Sequence, residues 1–280
     1  MDRIFQIGNF CFRLICGDGI VPPDHFMQFA VEAAVPEYTY TLEYADSFPQ
    51  TEGNLTLSRP DFQIFRNEGL ETRYLGIRGV PGWHACYREE SGNSARVFLK
   101  PDIQHLDVDS MFVSLLALER RMNDRDGLIL HCAYLAYQGG AILFSAPSGT
   151  GKSTQAGLWE QYRGGTTVNG DRCLLQRIDG QWHARGWPVC GSSGICLNRD
   201  TPVRAIVMLS QGKSDAAKRL KLRNGFLQIY PQLTVNSWNR RAQQRAMDLL
   251  EQIVTEVPIL HLSCTISENA VKALEKSLPK

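Results

Sequence analysis

Nowhere in this 280-residue chain does an apolar run approach the ~20 residues needed to span a bilayer. The sequence therefore predicts a soluble protein with no membrane partner. The opening segment, MDRIFQIGNFCFRLICGDG, places Asp2 at its start and Arg13 inside its apolar part, which breaks the continuous apolar core of a signal peptide and predicts a cytoplasmic location. Eight cysteines are present, at Cys11, Cys16, Cys86, Cys132, Cys173, Cys190, Cys196 and Cys264, but no C-x-x-C pair. This argues against a zinc site and for reduced, partly buried thiols. Charge of one sign is also missing: the net value is +1, which suggests no polyanionic partner. The basic stretches KSDAAKRLKLR (Lys213 to Arg223) and WNRRAQQR (Trp238 to Arg245) read as solvated helix faces, and no nucleic-acid motif accompanies them. Isolated His25, His84 and His105 read as packed or surface residues. Repeats and low-complexity segments are absent. So are the H-R-D and D-F-G of eukaryotic-type protein kinases and the N-K-x-D of guanine-specific GTPases.

What the chain does contain is a loop built for phosphate. AILFSAPSGTGKSTQAGLW, Ala141 to Trp159, passes from a strand through small residues into a helix. Its A-P-S-G-T-G-K-S core, Ala146, Pro147, Ser148, Gly149, Thr150, Gly151, Lys152 and Ser153, is the Walker-type pattern with Ala in place of the first Gly, and Thr154 follows in the helix. Small residues from Ser148 to Gly151 let consecutive backbone N–H groups curl inward around an anion. Lys152 supplies a mobile positive charge and Ser153 a hydroxyl suited to Mg²⁺, while the helix beginning near Lys152 turns its positive dipole end to the same point. A nucleotide is the expected ligand.

The length allows one large core or two smaller ones, and the patterning favours two domains. Up to about residue 108, short β-like runs alternate with turns: FCFRLIC, YTYTLEYA, NLTLS, FQIFRN, TRYLGIRG, WHACYRE and ARVFLKP. Near period-two spacing of aromatic and β-branched residues predicts antiparallel strands. A helix is expected from Val108 to Gly127, with Met111, Leu115, Leu118 and Met122 as its apolar stripe. LILHCAYLAYQGGAILFSA then reads as a hairpin turning at Gln138-Gly139-Gly140, an unusual antiparallel partner for a P-loop strand. GGTTVNGDRCLLQRIDGQWHARGWPV reads as strand, turn and strand. Asp171 falls at the end of the run from Thr166 to Gly170, on a strand expected to lie beside the P-loop strand. VRAIVMLSQ is a buried strand, and the remainder reads as helix (239–256), short strand (PILHLSC) and final helix (267–278). The expected boundaries are a β-rich accessory domain over 1–122, which shapes or recognises a substrate, and a P-loop domain over 123–280.

HCAYLAYQGGAILFSAPSGTGKST, followed by VNGD and ARGWPVCGSSG, resembles the catalytic domain of HPr kinase/phosphorylase and its relatives, including HPr-kinase-like enzymes associated with peptide-modification gene clusters. The resemblance covers roughly 123–280. It implies an α/β (α+β) mixed-sheet fold, a P-loop kinase domain sharing its core with phosphoenolpyruvate carboxykinases. It also implies that Ala146 to Ser153 hold the β- and γ-phosphates of ATP, that Ser153 and Asp171 serve Mg²⁺, that His131 lies near the phosphates, and that Asp171 is the base toward an acceptor hydroxyl. The family's second acid is Arg172 here, a departure that leaves the phosphorylase reaction and a second metal contact open. Arg185 and Gly186 match an Arg-Gly near the family's active site and are its substrate-side candidates; the acid two positions before is His183.

With Asp171, His131 and Lys152 as catalytic candidates, the expected activity is transfer of phosphate from ATP to a Ser hydroxyl of a peptide or protein. Two alternatives stay open: a kinase for free serine or a similar metabolite, and a nucleotide-binding regulatory module without transfer. A homo-oligomer is left open.

Overall fold

The computed structural model describes residues 1–103 and 105–279. The chain forms two compact units, Met1–Arg121 and Met122–Lys280, each mixed α/β.

In the first unit nine strands form one sheet: β1 (Asp2–Ile7), β2 (Phe10–Cys16), β3 (Ala30–Val31), β4 (Tyr38–Tyr44), β5 (Asn54–Arg59), β6 (Phe62–Asn67), β7 (Leu70–Leu75), β8 (Ala85–Ser91) and β9 (Ser94–Leu99), in the order β3-β1-β2-β4-β9-β8-β7-β6-β5. Helices α1 (Asp24–Met27), α2 (Asp109–Leu115) and α3 (Leu118–Asn123) accompany it. Alternation sets the two faces: along β2, Phe10, Phe12, Leu14 and Cys16 are buried while Arg13 is exposed. One face carries an aromatic cluster in which Phe26 of α1 meets Phe112 of α2 at 4.8 Å between ring centroids.

The seven runs with strand periodicity are all strands, but not all antiparallel. β2–β4 and β4–β9 are parallel. Period-two spacing fixes which side chains share a face and says nothing about direction, which is set by the long connections between these strands. The helix expected over 108–127 is broken. Leu116 and Ala117 separate α2 from α3, and Ala117 takes a left-handed φ of 49°. Both residues are fully buried, so the break turns more apolar surface inward than one straight stripe would.

A second buried group in this unit is ionic. Arg120 reaches Glu89 at 2.8 Å and Glu71 at 2.9 Å, Arg73 holds Glu71 at 2.8 Å, and Arg121 also pairs with Glu89. Each carboxylate carries at least two cations and the Glu71 amide donates to Glu89, so few lone pairs are left without a donor in low dielectric.

The second unit begins with the hairpin of β10 (Leu128–Tyr137) and β11 (Gly140–Ser145). Gln138 and Gly139 form its two-residue loop at φ 49° and 78°, the left-handed pair that a tight type I′ turn requires. After the loop come α4 (Lys152–Arg163), β12 (Thr166–Asn169), β13 (Arg172–Ile178), β14 (Gln181–Arg185), β15 (Thr201–Gln211), β16 (Ala216–Arg219), α5 (Leu222–Ile229), β17 (Leu233–Thr234), α6 (Arg240–Glu256), β18 (Ile259–Cys264) and α7 (Glu268–Glu275). The order is β11-β10-β13-β14-β15-β18-β16, and β15 also pairs with β11, so the path closes on itself. Strands β11, β15 and β18 are mutually parallel.

Near-continuous apolar strands result from burial on both faces. Leu143 and Ile206 join a core with Leu250 and Ile253 of α6, while Ile142 and Val207 join another with Trp159 of α4 and Leu274 of α7. Lys213 to Arg223, expected as a helix face, is strand β16 and the start of α5. Antiparallel pairing with β18 decides this, a tertiary effect overriding helix-forming composition.

Arg120→Leu should leave Glu71 and Glu89 short of a cation and cost about 3–5 kcal/mol of unfolding free energy, measured by urea denaturation of the whole chain. A loss within about 0.5 kcal/mol, typical of a neutral surface change, would show that the network contributes nothing net.

Candidate functional site

Strand β11 ends at Ser145, and the loop beyond it turns on two glycines in left-handed conformations, Gly149 at φ 77° and Gly151 at φ 109°. An added Cβ at either would meet nothing within 4 Å. Backbone geometry, not crowding, therefore demands glycine there. Ala146 is buried, whereas Pro147, Ser148 and Gly149 lie exposed. Thr150 donates from Oγ1 to the Pro147 carbonyl at 2.8 Å.

Lys152 opens α4 with only 8% of its surface exposed, and its Nζ donates to the carbonyls of Ala146 (3.1 Å) and Pro147 (3.4 Å). Burial pulls this ammonium below its ordinary pKa, opposed by the negative charge of Asp171. Ser153 and Thr154, both exposed, follow on the first turn, and Ser153 Oγ lies 3.5 Å from the Gly170 carbonyl.

Strands β12 and β13 follow one edge of β10. Tyr134 faces Asn169 and His131 faces Arg172, so the same register carries through Gly170 and Asp171. The Asp171 carbonyl accepts from Cys132 N at 2.9 Å, while Ser145 of β11 faces the same Cys132 from the opposite edge. The strand bearing Asp171 is thus not beside β11 as the sequence suggested. β10 lies between them, two strand spacings or about 10 Å from edge to edge.

The site brings His131, Lys152, Ser153 and Asp171 together. His131 Nε2 lies 3.4 Å from Asp171 Oδ1, and Arg172 Nε donates to Asp171 Oδ2 at 3.0 Å. The His131 imidazole, aided by Arg172, holds the Asp171 carboxyl below its ordinary value against the opposing effect of burial. Arg172 also reaches Thr234 Oγ1 at 3.3 Å.

Arg185 and Gly186 are engaged elsewhere. Arg185 pairs with Asp200 at 2.8 Å and donates to Gln176 Oε1 at 3.2 Å. Gly186 makes room for the chain opposite, since a Cβ there would come within 2.7 Å of the Leu197 carbonyl.

Asn169, which sequence reasoning passed over, organises the turn. It is fully buried; its Oδ1 accepts from the amides of Asp171 (2.8 Å) and Arg172 (2.9 Å), and its Nδ2 donates to the carbonyls of Trp187 (2.9 Å) and Val189 (3.0 Å). Segment 187–194 is thereby fastened over the turn. At Gly191, φ 57°, an added Cβ would sit 2.8 Å from Asp171 Cβ. Asn two residues before Asp in V-N-G-D is an Asx-turn signal, the cue that could have revealed it.

Residues 99–279 match the family described as SynChlorMet cassette protein ScmC, and the chain belongs to that family. No curated protein matches it. Among solved structures, the HPr(Ser) kinase/phosphatase from Coxiella burnetii is similar at 13% identity, covering 53% of this chain and 91% of that one with a TM-score of 0.32. A likeness at that level carries no argument about this site.

Asn169→Ala should leave buried backbone groups unpaired on both sides and destabilise the chain by about 3 kcal/mol or more, with Asn169→Asp, which keeps the acceptor, falling between it and the natural protein in chemical denaturation. A second expectation concerns pH. Because the folded pKa of Asp171 lies below its ordinary 3.8, its pairing contributes stability above that value and loses it as pH falls through the folded pKa. The stability gap between the natural protein and Asp171→Asn should therefore narrow on acidification from neutrality to about pH 3; a gap that stays constant would show that the ionised carboxylate is not what stabilises the turn.

Proposed function

We propose that this chain is an ATP-dependent kinase that transfers the γ-phosphate to a hydroxyl, that of a Ser in a peptide or protein, and that the β-rich first unit selects the acceptor. The observation that carries the reading is the facing of two groups across β10. On one side stands a glycine-turned loop closed by the buried Lys152 amine; on the other is the ionised carboxylate of Asp171, near enough to act on the charge of that amine.

Each residue has a role that elementary chemistry supports. The loop amides and Lys152 bind the terminal phosphates, where charge must be neutralised for transfer. Asp171, kept ionised by His131 and Arg172, accepts the hydrogen of the acceptor hydroxyl and aligns its oxygen. Its low basicity suits an orienting role, since the loose transition state of phosphoryl transfer asks little proton abstraction of the protein. His131 fixes one carboxylate oxygen in place. The exposed hydroxyl of Ser153 and the carboxylate of Asp171 are hard oxygen donors that fit a magnesium ion, which when bound would supply further charge neutralisation at the phosphates.

One observation favours a second reading, a nucleotide-binding regulatory module. Both oxygens of Asp171 are engaged, by His131 and by Arg172, so an acceptor hydroxyl must displace or share a partner.

Incubation with Mg²⁺ and γ-labelled ATP, with peptides and separately with free amino acids, distinguishes the readings. Label in peptides supports the proposed kinase, label in serine a metabolite kinase, and none the regulatory module. Lys152→Ala should abolish the thermal stabilisation by MgATP, which acts by binding the folded state alone. Asp171→Asn should lower transfer by about 10²-fold or more with the stabilisation by MgATP reduced only modestly; a parallel loss of both would assign Asp171 to the magnesium ion rather than to the acceptor. Equal transfer by Asp171→Asn and the natural protein would remove Asp171 from the mechanism.

A further inference from the structure

The loop joining β18 to α7 displays an apolar side chain in a place that local packing does not explain. Ile266 is 79% exposed, yet both of its neighbours are clamped. The Asp215 carboxylate accepts from Thr265 N (2.6 Å), from Thr265 Oγ1 (3.1 Å) and from Ser267 Oγ (3.3 Å). Ser267 occupies the N-cap of α7 without capping it, its hydroxyl being turned to Asp215 instead. Ile266, one residue earlier, stands where a hydrophobic staple would pack against Val271. Val271 is fully buried without it. The residues that would ordinarily serve the helix start are held in another arrangement, with the isoleucine facing solvent.

The place of this loop relative to the phosphate loop is set by the parallel strands. Ser145 at the end of β11 is level with Met208 of β15, which is level with His261 of β18. Strand β18 then continues three residues, to Cys264, or about 10 Å further in the same direction. Beyond the carboxyl ends of parallel strands such as β11, β15 and β18 is where α/β proteins commonly bind ligands. The loop is joined directly to the first turns of the P-loop helix, because Gln155 of α4 donates from Nε2 to the Thr265 carbonyl at 3.1 Å. Gln155 is 2% exposed, and its Oε1 is a buried acceptor with no partner among the described residues, an unfavourable state that a bound donor would relieve.

We infer that Ile266 and Gln155 form the base subsite of the nucleotide: a planar adenine-type base lies with one face on Ile266, at the loop that Gln155 holds through the Thr265 carbonyl, and the covered, unpaired Oε1 of Gln155 accepts from an exocyclic amino group once a small turn of the carboxamide uncovers it. This rests on the nucleotide reading of the phosphate loop and extends it from phosphates to base. It assigns recognition of the base to rigid elements: the loop is pinned by Asp215 and the helix begins at the phosphate loop itself, so little ordering is required on binding.

The test compares two probes that share only the phosphate portion. Binding of MgATP and of magnesium tripolyphosphate is measured by calorimetry on the full chain, for the natural protein, Ile266→Asp and Ile266→Phe. An exposed position tolerates both substitutions, and melting temperatures verify this. The natural protein should bind MgATP more tightly than tripolyphosphate. Ile266→Asp should weaken MgATP by about 10-fold, the scale of a lost apolar contact, and leave tripolyphosphate unchanged. Ile266→Phe should retain or improve MgATP binding. Unchanged MgATP affinity in Ile266→Asp, or equal weakening of both probes, would overturn the base subsite while leaving the phosphate site standing. A natural protein that binds neither probe would overturn the nucleotide reading and this inference with it.

Discussion

Strand β10 is the constraint on which the second unit depends. Its main chain must be hydrogen-bonded along both edges where no water reaches, and four strands share that task, with β12 and β13 on one edge and β11 and β17 on the other. Eight of its ten residues are buried, and the two that are partly open are His131 and the terminal Tyr137. His131 is therefore the polar break in an otherwise sealed strand, at the level where β11 gives way to β17 and where the turn between β12 and β13 interrupts the opposite edge. The candidate site occupies that interruption. Its position follows from hydrogen-bond satisfaction in the sheet as much as from the glycine-turned loop after β11.

Polar groups are buried in both units, to different ends. In the first, Glu71 and Glu89 are saturated by arginines and other donors, which fixes the ends of elements. In the second, Asn169 is likewise saturated, but what it secures is unsaturated in part: Lys152 rests on two carbonyls, and Asp171 is open enough to be reached. Rigid, satisfied residues surround a few whose present partners are exchangeable. This is the division of labour expected where groups must be oriented before a ligand arrives.

Much of this was legible in the sequence, for reasons that can be named. The hairpin of β10 and β11 was readable because only certain residues accept left-handed φ, and Gln138-Gly139 sits between two apolar runs. The turns of the loop itself were readable because Gly149 and Gly151 take left-handed conformations that few other residues accept. The strands of the first unit were readable from alternation, whereas their directions were not, because β2, β4 and β9 are joined through pairings that no local pattern encodes. Lys213 to Arg223 has the composition of a helix, yet the edge of β18 was available to pair with it. Asp171 was singled out by its place after the apolar run, but the interposition of β10 could not be read, since Asp171 reaches His131 only through the register of three strands. Asn169, Asp215 and Gln155 are single polar residues whose importance lies entirely in the atoms that surround them after folding.

The parallel pairing of β4 with β9 joins Thr39 to Ser94 and Tyr44 to Leu99, closing some fifty-five residues of chain. The antiparallel meander from β5 to β9 can form from neighbouring segments, as can the hairpin of β1 and β2, but neither half acquires the other until that closure occurs. Long-range closure of this kind is slow because its entropy must be surrendered before the contacts are gained. During synthesis, the edges of β4 and β9 would meet only after Leu99 has left the ribosome. Until then each half presents an unpaired inner edge, the kind of surface on which chains associate wrongly. The central seam of the first sheet is thus also the step at which its assembly is most exposed to competition from other chains, and the point where a chaperone would have the most to protect.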